Sequence, residues 1–136
     1  FIYPFWEENY KEQLYKLKQE NDNDLGRLER NAMYDLLSKT ILAISIPISD
    51  SSPRSVYEAI FSGCAVCLTD LEWVKEMPSC MQSRVILADL ENDLWLKHAL
   101  EEAKIIVKQD YNPSHEAYKL YDQHASMKEM SDLLYN

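Results

Sequence analysis

The sequence predicts an α/β domain: a parallel sheet with helices on both faces, closed by a carboxyl-terminal helix. Three short, nearly continuous apolar runs carry that expectation, Ile41 to Ile48, Ala65 to Thr69 and Arg84 to Ala88. Runs of this kind suit strands covered on both faces, whereas a half-solvated strand alternates apolar with polar residues. Segments with helical spacing separate the runs, so strand and helix alternate in units of about 20 residues, as crossovers between parallel strands require.

Taken in order, Phe1 to Phe5 is a short aromatic run closed by Pro4, consistent with the tail of a strand. From Glu7 to Gln19, Tyr10, Leu14 and Leu17 recur at helical spacing among charged residues, predicting an amphipathic helix that Asn21 to Asp24 breaks. Arg27 to Ser38 repeats the pattern with Leu28, Met33, Leu36 and Leu37. Pro53 to Ser62 predicts a helix stopped by Gly63, and Leu71 to Met77 another stopped by Pro78. After the third strand, Asn92 or Asp93 is placed to cap a helix with Leu96, Ala99, Leu100, Ala103 and Val107 along one side. Asn112 and Pro113 then open a last helix, Ser114 to Leu134, as cap and first-turn proline. The expected organisation is leading helices over 1–40, βα units over 41–108 and a carboxyl-terminal helix over 109–136.

Composition narrows the function. At average usage of about 7%, a chain of this length would hold roughly nine or ten glycines. Two glycines in 136 residues leave no material for glycine-rich phosphate loops. A formal charge of -9, from 23 acidic against 14 basic residues, argues against nucleic acid and anionic membrane as partners. No apolar run approaches the length of a membrane span. The chain starts at Phe1 with no secretory leader, so it reads as part of a longer protein. Its three cysteines, Cys64, Cys67 and Cys80, are too few to staple a fold and fit reduced thiols in the cytoplasm. Cys64 and Cys67 form a CxxC inside an apolar run, which predicts buried structural cysteines rather than a redox or zinc pair.

In an open parallel sheet, ligands bind beyond the carboxyl ends of the strands. Only one of the three turns there is rich in polar groups, Ser49 to Ser55. Ser52 is a good N-cap and Pro53 a good first-turn residue, leaving the amides of Arg54, Ser55 and Val56 at the positive end of a helix dipole. Such an end attracts an anion without glycine. Glu58 interrupts an otherwise apolar helix, three residues after Ser55 and four after Arg54. An Arg54–Glu58 pair on a solvated face is one explanation of that carboxylate; acceptance of hydrogen bonds from ribose hydroxyls is the other.

The stretch from Ser45 through Asp50, Glu58 and Gly63 to Thr69-Asp70 resembles the carboxyl-terminal, donor-binding domain of family 4 retaining glycosyltransferases of the GT-B fold. Those enzymes carry an acidic residue, seven residues, then Glu, followed by Ala and a Gly that closes the helix. Asp50, Glu58, Ala59 and Gly63 reproduce the spacing, with aspartate where many members have glutamate. The resemblance covers Leu28 to Val107 and implies one Rossmann-like half of a two-domain, hexosyltransferase-like enzyme of polysaccharide or glycoconjugate assembly. It implies that Glu58 holds the ribose of a nucleotide diphosphate sugar, that Asp50 contacts the sugar hydroxyls, and that Ser52, Arg54, Ser55 and Val56 surround the diphosphate, with no metal cofactor. The family's Arg and Lys on the diphosphate have no match before Asp50, so they are expected upstream, or partly replaced by Arg54. Leu71, Glu72 and Trp73 follow Asp70 at once where the family has a longer loop. The resemblance further implies that a glycan or lipid-linked acceptor is bound by an amino-terminal domain outside this chain, that the isolated chain transfers nothing, and that the full enzyme works in the cytoplasm, with peripheral membrane association compatible with it. His98, His115 and His124 lack metal spacing; Tyr118, Tyr121, Met127 and Met130 form either an interdomain contact or a core stripe. The alternative to a donor-binding domain is a non-catalytic regulatory or interaction module on the same kind of sheet.

Overall fold

The computed structural model describes residues 8–47, 54–122, 127, 128, 131 and 132. The chain divides into two compact units, Phe1–Asp35 and Leu36–Asn136.

In the first unit, α1 spans Glu8–Leu17. Leu14 is half-buried, but Leu17, expected on the buried stripe, is exposed. The break that follows is built from side-chain oxygens: Asp22 accepts the amide of Gln19 at 2.9 Å, and Asp24 accepts the Tyr15 hydroxyl at 2.6 Å and the Gly26 amide at 3.2 Å. Gly26 takes φ +58, a left-handed conformation that costs a side-chain-bearing residue about 1–2 kcal/mol. This turn delays α2 to Arg30–Leu37, three residues after its expected start, and the helix's last two residues belong to the second unit.

The second unit is the predicted α/β fold. Strands β1 (Leu42–Ser45), β2 (Ala65–Leu68) and β3 (Val85–Leu87) form a parallel sheet in the order β1-β2-β3. Leu42 lies opposite Ala65 and Val66 opposite Val85, and helical connections join each strand to the next, as parallel pairing requires. Helix α3 (Arg54–Phe61) packs on β1 and β2, and α6 (Trp95–Ile106) on all three strands. Alternation along β2 turns Ala65 and Cys67 toward Ala99, Ala103 and Ile106 of α6, and Val66 and Leu68 toward the other face. All four are buried, so the central strand satisfies the two-faced reading in full. The edge strand does not: Ile44 of β1 is 49% exposed. Pro47, which has no amide to donate, ends the ladder early, and β1 covers only half of the expected run.

Local chemistry explains the remaining boundaries. Gly63 at φ +92 closes α3 with the amide of Cys64 on Ala59 O at 3.1 Å and that of Gly63 on Ile60 O at 2.9 Å, the paired bonds of a Schellman cap. The expected helix after β2 is a single turn, α4 (Glu72–Lys75), and a second turn, α5 (Ser79–Gln82), follows Pro78 instead of loop. Proline there starts a helix rather than merely stopping one. Neither Asn92 nor Asp93 is the cap of α6: Leu94 takes that position, and Asn92 Oδ1 accepts the Leu94 amide at 2.9 Å in the turn before it. The buried stripe of α6 runs through Ala99, Ala103 and Ile106, while Leu96 and Leu100, expected on it, are 47% and 40% exposed.

The last helix also departs from expectation. Helix α7 spans His115–Tyr121, with Ser114, not Asn112, as the cap; its hydroxyl oxygen accepts the Ala117 amide at 3.2 Å. Asp122 turns extended and ends α7, and farther along the expected span Met127, Lys128, Ser131 and Asp132 are again helical. No helix among the described residues is long and apolar enough to cross a membrane.

Candidate functional site

The connection from β1 to α3 leaves the carboxyl end of the sheet, where a ligand site is expected. Asp50 and Ser52 lie outside the described residues. What the structure describes is the frame on either side of them. Thr69, just after β2, donates its hydroxyl to Pro47 O at 2.7 Å, tying the exits of the two strands together. Beyond the gap, α3 begins at Arg54.

The first turns of α3 display residues of three kinds. Val56 is 2% exposed, so its side chain belongs to the core and only its backbone faces the helix end. Arg54 and Ser55 are exposed. Glu58 is half-buried, and its Oε1 lies 3.5 Å from Arg54 Nε, an ion pair one helical turn long. The pairing anticipated as the plain explanation of Glu58 is therefore present. It has a physical cause: a guanidinium at the positive end of a helix is disfavoured by the dipole, and a carboxylate one turn on offsets it. Arg54 also lies over the Tyr121 ring, 5.5 Å from its centroid.

Aromatic residues surround this turn. Phe61 stacks on Tyr118 at 5.2 Å and tilts against Tyr121 at 4.9 Å, so α7 packs on α3 within the chain. Of the surface proposed for the last helix, Tyr118 and Tyr121 thus make intramolecular contacts; Met127 is exposed and Met130 lies outside the described side chains. Tyr57 sits 6.2 Å from Trp73 of α4, which brings Trp73 to the flank of α3 although sequence alone tied it only loosely to the site. The indole Nε1 of Trp73 is buried with no hydrogen-bond partner. Glu72 points away into an exposed network in which Lys75 lies 3.4 Å from Asp70 and 3.9 Å from Glu72.

Other chemistry-bearing residues lie apart. His98 and His115 are exposed and His124 lies outside the described residues. Among the described residues no group of three or more His, Cys, Asp or Glu is placed to hold a metal ion. Cys64 and Cys67 are fully buried and free, as the apolar run predicts. Burial pushes both thiols up, in Cys67 reinforced by the charge of Glu102. Cys64 donates to Leu37 O at 3.1 Å.

Sequence reasoning missed Arg84, treated there only as the first residue of a strand. It is 3% exposed, and among the described residues it is the one charged side chain in the core. Its guanidinium donates to Ile106 O at 2.9 Å and Gln109 O at 2.8 Å, reaches toward Gly63 O at 3.5 Å, and lies 4.5 Å over the Tyr111 ring. The acceptors end α6 and follow α3, so one cation neutralises the negative end of a helix and joins it to the turn before β2. A lone cation opening an apolar run was the available signal. Comparison of the chain with family models, with curated proteins and with solved structures finds no match.

Proposed function

We propose that this chain is the donor-binding part of a cytoplasmic glycosyltransferase, taking a nucleotide diphosphate sugar at the turn between β1 and α3 and passing the sugar to a glycan or lipid-linked acceptor. What supports the reading is the placement of exposed Arg54 and Ser55 and half-buried Glu58 on the first turns of the helix that follows the first strand of a parallel sheet. Helix end and guanidinium both favour the diphosphate, and in this reading Glu58 accepts hydrogen bonds from the ribose hydroxyls. Asp50, eight positions before Glu58, supplies the sugar contact. Charge building on the leaving diphosphate is stabilised by dipole and donors already in position.

The Arg54–Glu58 ion pair favours a second reading, a non-catalytic interaction module in which Glu58 serves only to neutralise Arg54. The two readings differ in sign for one variant. If Glu58 binds ribose, Glu58→Ala weakens binding of uridine or guanosine diphosphate by roughly a hundredfold, the loss of a pair of hydrogen bonds to a charged acceptor at about 1.5 kcal/mol each. If Glu58 only neutralises Arg54, the variant frees the guanidinium and anion binding stays the same or tightens. Calorimetric titration of the diphosphates and the bare nucleosides into parent and variant decides; a folded chain with no nucleotide binding at about millimolar concentration removes the donor-site reading.

A further inference from the structure

The carboxyl end of β3 displays leucines among carboxylates. Leu87, Leu90 and Leu94 are 53%, 51% and 55% exposed, and Asp89, Glu91 and Asp93 alternate with them, all exposed. From Val85 to Leu96 the chain has no lysine or arginine. The adjoining exit of β2, held by the Ala88 amide on Leu68 O at 2.8 Å, adds exposed Asp70, and Lys75 beside it is engaged by Asp70 and Glu72.

These leucines are displayed by an ordered turn. The Asn92 amide donates to Asp89 O at 3.0 Å, the Trp95 amide to Asn92 O at 2.9 Å, and Asn92 Oδ1 accepts the Leu94 amide. Trp95 packs into the core beneath, which anchors the turn from below. A rigid turn that exposes three large apolar side chains in an acidic setting keeps surface that a solvated loop would shed.

We infer that this turn is a docking surface for a partner protein that presents a cationic amphipathic helix. Its apolar stripe would cover Leu87, Leu90 and Leu94, and lysines or arginines flanking the stripe would meet Asp89, Glu91 and Asp93. Charge complementarity selects this occupant: nucleic acid and anionic lipid are repelled by the carboxylates, and a second copy of the same acidic surface repels itself.

The test uses a synthetic leucine–lysine amphipathic helical peptide, titrated into the isotope-labelled chain and followed by amide chemical shifts. Saturable binding is expected, with shifts centred on residues 87–94 and an affinity that falls at least about threefold between about 50 and 200 mM salt. Asp89→Asn/Glu91→Gln/Asp93→Asn and, separately, Leu90→Ser/Leu94→Ser should each weaken binding by about tenfold, equivalent to about 1.4 kcal/mol. All these side chains are exposed, and circular dichroism checks that each variant folds; if the leucine variant does not, the carboxylate variant decides. Equal binding of a scrambled peptide with no apolar face, shifts centred elsewhere, or an unchanged affinity of a folded variant overturns the inference. So does sedimentation showing a dimer that Leu90→Ser/Leu94→Ser dissolves, which makes a second copy the occupant.

Discussion

Replacing Arg84 by methionine keeps most of the buried stem and removes the guanidinium, so the loss can be worked from the contacts. Two short bonds from a charged donor, to Ile106 O and Gln109 O, are worth about 1.5 kcal/mol each net of solvation. The stack on Tyr111 adds about 1 kcal/mol in a desolvated setting. The longer contact to Gly63 O at 3.5 Å is given no weight. The expected cost of Arg84→Met is therefore about 4 kcal/mol, a large part of a typical stability of about 5–15 kcal/mol. Urea unfolding followed by circular dichroism reads it: with a slope near 1.5 kcal/mol/M, the midpoint drops by about 2–3 M. Arg84→Lys retains charge but cannot reach two carbonyls or lie flat on the ring, so it should recover less than about half of the loss. The missing cation has a second effect, because Arg84 partly offsets the burial that raises the Cys64 thiol; that thiol should rise further in Arg84→Met. A methionine variant within about 1 kcal/mol of the parent refutes the view that Arg84 holds the end of α6.

Three other outcomes follow from named contacts. Burial pushes the Tyr111 hydroxyl up to about 12 from 10.0, and its oxygen is buried without a hydrogen-bond partner. Because the folded value is the higher one, its contribution is complete below pH 10 and is lost as pH rises toward 12; Tyr111→Phe should cost little near pH 7 and flatten that alkaline fall in urea midpoint. Gly63→Ala meets no atom within 4 Å but must hold φ +92, so it should lower stability by the conformational cost alone, about 1–2 kcal/mol; a thermal midpoint equal to the parent's contradicts this. Burial raises the Cys80 thiol, but hydrogen bonds from Ser114 and nearby amides outweigh it and the net shift is downward, whereas Cys64 and Cys67 are raised and fully buried. Alkylation of the native chain near pH 8, mapped by mass spectrometry, should label Cys80 first and the other two only on unfolding.

Legibility of the fold differed from element to element for physical reasons. Ala65 to Thr69 read correctly as a two-faced strand because a central strand imposes the same demand at every position. Ile41 to Ile48 looks the same on paper, yet Ile44 is half exposed, since a run of apolar residues does not record how many neighbours its strand has. On α6, Leu96 and Leu100 outweigh the alanines in any apolar count, but it is Ala99, Ala103 and Ile106 that pack on Ala65, Cys67 and Ile86 of the sheet. Of the candidate site, Arg54, Ser55, Val56 and Glu58 were placed on one helix by spacing alone. The Arg54–Glu58 pair was one of two explanations that the spacing offered; that Val56 turns inward and that Tyr121 comes from far along the chain to lie beneath Arg54 were not readable there.

By itself the sequence determined the class of fold, the alternation of its three strands with helices and the Gly63 stop, because these rest on periodicity and on backbone preferences acting within a few residues. Tertiary structure decided what depends on distant residues meeting: which apolar side chains are covered, where the Arg84 charge ends its path, and why Leu87, Leu90 and Leu94 remain in water. Burial and partnership are properties of pairs brought together across the chain, and no local window contains both members.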